Sequence, residues 1–165
     1  IEKYFPHTSL TCLDISQKSL EIARSRFGEQ AEYLPYDGTT IDKQDNYFDV
    51  SYATCVFHHI PSDEHSNALQ EIKRVTRSGG YIFIFEHNPM NPLTVRTVNN
   101  CPFDENAVLI SGPAMARKLE RAGFSNVELR YRLFFPNILR KLRVLESALT
   151  WLPLGAQYYV CAQKT

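Results

Sequence analysis

Glycine is scarce at the start of this chain. None occurs before Gly28, and the 165 residues hold seven in all. Residues 1–27 therefore lack the glycine-rich turn that lets a phosphate or nucleotide approach the backbone. Charge of one sign is missing too. Eighteen Lys+Arg balance eighteen Asp+Glu, and the pI is about 7.1. Nucleic-acid and membrane-surface binders carry a basic excess, so neither partner is expected. No apolar run approaches the roughly 20 residues of a membrane span. The opening Ile1-Glu2-Lys3-Tyr4-Phe5-Pro6 has no signal-peptide pattern and no initiator methionine, which suggests a piece of a longer chain. Cys12, Cys55, Cys101 and Cys161 form no CxxC pair. Three of them lie in strand-like stretches as small hydrophobes, as expected of a reduced, cytoplasmic protein.

What is present is ordinary for a folded domain: 44% hydrophobic and 22% charged residues. A chain of this length buries roughly two thirds of its unfolded surface, so one domain over residues 1–165 is expected. Short apolar runs alternate with helical patterns. Ser9 to Asp14 reads as a strand. A helix follows with Ser16 as N-cap, Leu20, Ala23 and Phe27 on one face, and Gly28 as its stop. Ala31 to Pro35 reads as an edge strand, because Pro35 would break a central ladder. Phe48 to Ala53 is the next strand. A helix capped near Ser62 or Asp63 then turns Leu69, Ile72 and Val75 inward.

After Gly79-Gly80, Tyr81 to Phe85 is an apolar run suited to a strand covered on both faces. Pro113, Leu119, Ala122 and Gly123 outline another helix. Val127, Leu129, Tyr131 and Leu133 alternate with polar residues, as in a strand. A helix over 137–150 would bury Leu142, Leu145 and Leu149. Gln157 to Ala162 closes the chain as a strand antiparallel to 127–134. This alternation implies a doubly wound, mostly parallel α/β sheet with an antiparallel C-terminal strand pair.

Ligands of such sheets bind beyond the carboxyl ends of the strands. That rule selects Asp14-Ile15-Ser16, Tyr36-Asp37-Gly38, the stretch from Ala53 to His59, and Glu86-His87-Asn88-Pro89. Asp14 suits ribose hydroxyls or a helix cap equally well. Asp37 suits an exocyclic amine or an Asp-Gly turn. His58 and His59 stand at the mouth of the site. Glu86 and His87 follow an apolar strand, so their side chains are expected to open toward an acceptor, where either could take a proton. His58, His59 and His87 have metal-ligand chemistry but no ligand spacing, so no metal is expected. Arg140, Lys141 and Arg143 read as a solvated face.

Taken in order, Leu13-Asp14-Ile15-Ser16, Tyr36-Asp37-Gly38, Phe48-Asp49-Val50, Val56-Phe57-His58-His59-Ile60, Leu69 to Val75 and Gly79-Gly80 resemble the class I S-adenosylmethionine-dependent methyltransferases of small-molecule type. The resemblance implies a Rossmann-like fold, S-adenosylmethionine as cofactor and a small-molecule or sugar-like acceptor. It also implies that Asp14, with Ile15 beside it, holds the ribose, that Asp37 and Gly38 border the adenine, and that backbone at Ala53 and Thr54 meets the methionine end. Glu86, His87 and His58 are the catalytic candidates.

The departure is the absent first strand with its glycine loop, Ile1 to Phe5 reading as the tail of the helix after it. In the family's strand order, 3-2-1-4-5-7-6, that strand is central. Its absence makes the fold N-terminally incomplete and leaves the Asp14 and Phe48 strands with open edges, so a homodimer sharing an edge is one expected resolution. A non-catalytic binding or assembly module is the competing function. A nicotinamide-dependent oxidoreductase is a further alternative, supported only by the acid after a strand.

Overall fold

The computed structural model describes residues 7–165, so the expectation for Ile1 to Phe5 lies outside the described residues. The chain divides into two units, one ending at Gln44 and the other beginning at Asp45.

In the first unit, β1 (Thr11–Asp14) pairs in parallel with β2 (Glu32–Pro35), and Asp14 is opposite Pro35. Pro35 ends the ladder, where its missing N–H costs nothing. Between the strands runs α1 (Gln17–Phe27). Ser16 caps it as expected, its side chain accepting from the Ser19 N–H at 3.2 Å. Gly28 ends it at φ +60°, a left-handed conformation that favours glycine. Leu20, Tyr33 and Ile41 are buried. Phe27 is 59% exposed, not inward as its spacing implied, because it occupies the frayed last position of the helix.

The second unit holds β3 (Phe48–Thr54), β4 (Thr76–His87), β5 (Phe124–Arg132) and β6 (Gln157–Lys164) in the order β3-β4-β6-β5. β3 and β4 are parallel, and β6 is antiparallel to both β4 and β5. Three α-helices accompany them: α2 (His65–Val75), α3 (Pro92–Asn99) and α4 (Gly112–Arg121). The core is Ile82 and Ile84 of β4, Tyr158, Val160 and Ala162 of β6, and Phe57, Leu69, Met115 and Leu119. α2 starts at His65, without the side-chain cap expected from Ser62 or Asp63. The His65 ring, through Nε2, instead meets the Phe57 and Ile60 carbonyls at 2.9 Å each.

Two further expectations change. β4 runs through Gly79-Gly80 rather than starting after them, with a register shift that takes the pairing from Phe48↔Thr76 to Val50↔Tyr81. The 137–150 helix is a kinked 3₁₀ segment, Asn137–Ala148, whose break falls at Leu139. Leu142 and Leu145 are exposed and Leu149 is only half-buried. The 3₁₀ repeat of three residues per turn drifts away from the i, i+3, i+7 stripe that would have buried them.

Each unit carries a parallel strand pair, β1–β2 in the first and β3–β4 in the second, and the second unit ends in the antiparallel pair β5–β6. Among the described residues β1 pairs only with β2, and no ladder joins the two sheets. The described residues contain no helix long and apolar enough to cross a membrane.

Candidate functional site

β1 delivers Asp14 to its carboxyl end. Asp14 Oδ1 accepts from the Ser16 N–H at 2.8 Å, so this oxygen fixes the strand-to-helix turn. Ile15 next to it is 77% exposed. At the end of β2, Asp37 Oδ1 accepts from the Thr39 and Thr40 N–H groups at 2.7 Å each and from the Thr39 hydroxyl at 2.9 Å. These bonds hold the Asp37 carboxyl below the usual range, with the Thr40 N–H the largest cause. Gly38 follows at φ +88°, with no atom within 4 Å of where a Cβ would stand. The turn reading of Asp-Gly therefore holds, and the turn presents an open face.

In the second unit, Ala53 and Thr54 end β3. Cys55 at φ 55° then turns the chain into a short 3₁₀ turn, Phe57–His59. Glu86 lies two and four residues beyond Ile84 and Ile82, so the period of the strand turns it to the same buried face. It is 1% exposed, against the expectation that it opens toward an acceptor. Its Oε1 accepts from the Val56 and Phe57 N–H groups at 3.1 and 2.8 Å, and its Oε2 lies 2.5 Å from His58 Nδ1. These contacts hold the Phe57–His59 turn against β4. Asn88 and Asn91 are structural as well: Asn88 donates to the Pro153 and Gly155 carbonyls, and Asn91 caps α3.

The structure does bring the three catalytic candidates together. The His58 ring is packed on His87 at 5.4 Å between centroids and on His59 at 4.2 Å. His87 is half-buried, with Nε2 3.7 Å from Cys55 Sγ. Burial pushes the His87 imidazole down, His58 adding to the effect. Burial also pushes His58 down, but its hydrogen bond to Glu86, the Glu86 charge and that of Asp104 outweigh it, so His58 ends above the usual value. Burial, with Glu86 and Asp104, pushes the Cys55 thiol up to about 11, which removes it as a thiolate nucleophile.

Asp104 was not singled out by its sequence position. It comes from a second 3₁₀ turn, Pro102–Asp104, and borders a polar cleft of about 450 Å³ shared with Cys101 and Glu105. A hydrogen bond from Cys101, then the charge of His58, holds its carboxyl below the usual range. Nothing in a 45-residue separation from His59 signals the meeting.

The sequence pattern of the methyltransferase domain family matches residues 1–84. A ubiquinone biosynthesis O-methyltransferase of Nitrosomonas europaea is 26% identical over 91 residues, which are 52% of this chain and 38% of that protein. The chain thus spans well under half the length of that curated relative. Among solved structures, an S-adenosylmethionine-dependent methyltransferase of Thermotoga maritima superposes with a TM-score of 0.73 at 19% identity, covering 94% of this chain and 73% of that one. One from Archaeoglobus fulgidus gives 0.71 at 15%, covering 93% and 75%. Human N-acetylserotonin methyltransferase, solved with S-adenosylmethionine, gives 0.69 at 17%, covering 99% and 42%.

Proposed function

This chain belongs to the methyltransferase domain family, with the class I fold of S-adenosylmethionine-dependent enzymes, and on that premise we propose that it serves methyl transfer from S-adenosylmethionine to a small-molecule or sugar-like acceptor. The observation that carries the reading is Asp14: a carboxylate at the end of a parallel strand, one oxygen tied to the Ser16 N–H and the other the proposed partner of a ribose diol. The exposed Ile15 side chain and the open turn at Asp37 and Gly38 suit the apolar and polar edges of adenine.

The chemistry the cofactor supplies when bound is an electrophilic sulfonium methyl group that leaves its sulfur as a neutral thioether. The protein's part is orientation, exclusion of water and, for a hydroxyl acceptor, removal of a proton. Of the three catalytic candidates, His87 is the one suited to receive that proton, on Nε2. Glu86 is buried and already accepts from two backbone amides and His58, so it positions His58 and the turn rather than acting as the base.

The experiment is calorimetric titration with S-adenosylhomocysteine and, separately, NADH. S-adenosylhomocysteine is expected to bind and NADH not. Asp14→Ala should weaken binding roughly ten- to a hundredfold, the value of a hydrogen-bonded charged group. Unchanged affinity would remove the assignment. Binding without turnover of any acceptor would favour the module reading. Binding of NADH alone would favour the oxidoreductase. We also propose that a second copy covers the edge of β1 left without a ladder partner among the described residues. Sedimentation of the protein as a monomer at tens of micromolar would rule that out.

A further inference from the structure

We propose that His58, His59 and Asp104 bind a divalent transition-metal ion, with zinc the ion their chemistry and spacing fit, and with Glu86 fixing which His58 nitrogen faces it. The inference does not rest on methyl transfer. Glu86 meets three N–H positions: two backbone amides and His58 Nδ1. A carboxylate in that place requires the proton on Nδ1, which leaves the lone pair of a neutral His58 on Nε2. That nitrogen belongs to a side chain buried to 1% exposure and has no hydrogen-bond partner among the described residues.

It is aimed at two other ligand atoms. Asp104 Oδ1 lies 3.4 Å from His58 Nε2 and 3.5 Å from His59 Nε2, and the three atoms all fall within 4.8 Å of one another. Those separations are long for hydrogen bonds, which run about 2.7–3.2 Å. Zinc bonds of about 2.0–2.2 Å in tetrahedral array set ligand atoms roughly 3.3–3.5 Å apart. The third edge closes by rotation of His59, whose side chain is 43% exposed.

Charge agrees with geometry. With neutral imidazoles, the carboxylates of Glu86 and Asp104 give the cluster a formal charge of −2, which a dication balances. Two imidazoles and one carboxylate suit zinc better than magnesium or calcium, which prefer oxygen throughout. A carboxylate behind a ligating histidine is the usual device for orienting the ring and fixing its tautomer. The turn bearing Asp104 is held by its N–H to the Cys101 carbonyl at 3.0 Å, and Val108 N–H donates to the His58 carbonyl at 2.8 Å, so both sides of the site are placed before any ion arrives. The polar cleft bordered by Asp104 offers an ion a route to that carboxylate.

The test uses the intact chain stripped with a chelator and titrated with Co²⁺. One equivalent is expected to produce visible absorption of a low-coordinate site, zinc should displace it, and zinc should raise the Tm. His59→Ala and Asp104→Asn, both at positions reached by solvent, should keep the wild-type circular dichroism and each lower the affinity at least about tenfold. Glu86→Gln should weaken binding by about ten- to a hundredfold, because a Gln amide facing Nδ1 drives the proton onto Nε2. Zinc should also shift the nitrogen resonances of both Nε2 atoms in the unsubstituted protein, a readout that no variant's folding can obscure. A wild-type protein with no one-equivalent band and no zinc-induced Tm change, or less than tenfold loss in either His59→Ala or Asp104→Asn, overturns the site.

Discussion

Asp37 and Glu86 both spend their carboxylates on backbone amides, but solvent makes their consequences differ. Asp37 is fully exposed, and its folded pKa is lowered by the Thr40 and Thr39 donors. A lowered carboxylate pKa adds stability that is complete above the unfolded value, about 3.9 for Asp, and is lost as pH falls through the folded value. Asp37→Asn keeps the acceptor oxygen and removes the charge. Unfolding by urea from pH 5 downward should therefore fall less steeply for Asp37→Asn than for wild type, and parallel curves would show that the turn's hydrogen bonds carry no linkage.

Glu86 is buried, so its loss is a packing and pairing event. Glu86→Ala strands two amides and the His58 ring in the core and should cost about 3–5 kcal/mol, read as a lowered urea midpoint at constant m. This reverses the expectation that the Glu86 side chain opens toward an acceptor. The reversal was available in the sequence: Glu86 shares parity with Ile82 and Ile84 in a strand.

At the scale of elements, close backbone approach at two glycines decides how the sheet closes. A Cβ on Gly155 would stand 2.4 Å from the Arg132 carbonyl oxygen and 2.8 Å from its nitrogen. Gly155 lies where the 149–156 turn folds back against the end of β5, and its carbonyl accepts from buried Asn88. Gly155→Ala should cost on the order of 1–3 kcal/mol or more as backbone shifts to relieve the clash. At the register shift of β4, a Cβ on Gly80 would meet the Arg77 and Asp49 carbonyls at 2.8 Å each. Gly28→Ala, with nothing within 4 Å, carries only its positive φ and should cost less than Gly155→Ala. Thermal melts of the two variants give the order directly, and equal losses would show that conformation rather than contact dominates.

For the whole molecule, the two units differ sharply in what they bury. The first rests on a two-stranded ladder, one helix and the buried Leu20, Tyr33 and Ile41, whereas the second surrounds β4 and β6 with a continuous apolar core. Two strands with little apolar cover are marginal alone. Hydrogen exchange should therefore show the amides of β1 and β2 exchanging faster than those of β4 and β6, through local opening. S-adenosylhomocysteine should slow exchange around Asp14 to Ser16. Uniform protection across all four strands would mean that the first unit draws stability from elsewhere.

Local patterns were enough to place β1, α1, β3 and the β5–β6 pair, because a period of two or 3.6 and a capping Ser or Gly act within a few residues. The same local order carried Asp14 to a strand end and set the resemblance to methyltransferases. Two features were beyond its reach. Burial of the 137–150 leucines depends on whether that segment holds an α or a 3₁₀ repeat, which its neighbours decide. The meeting of His58, His59 and Asp104 depends on a loop returning across 45 residues, and contact at that separation leaves no periodic trace because it is produced by packing of the chain rather than by its local conformation.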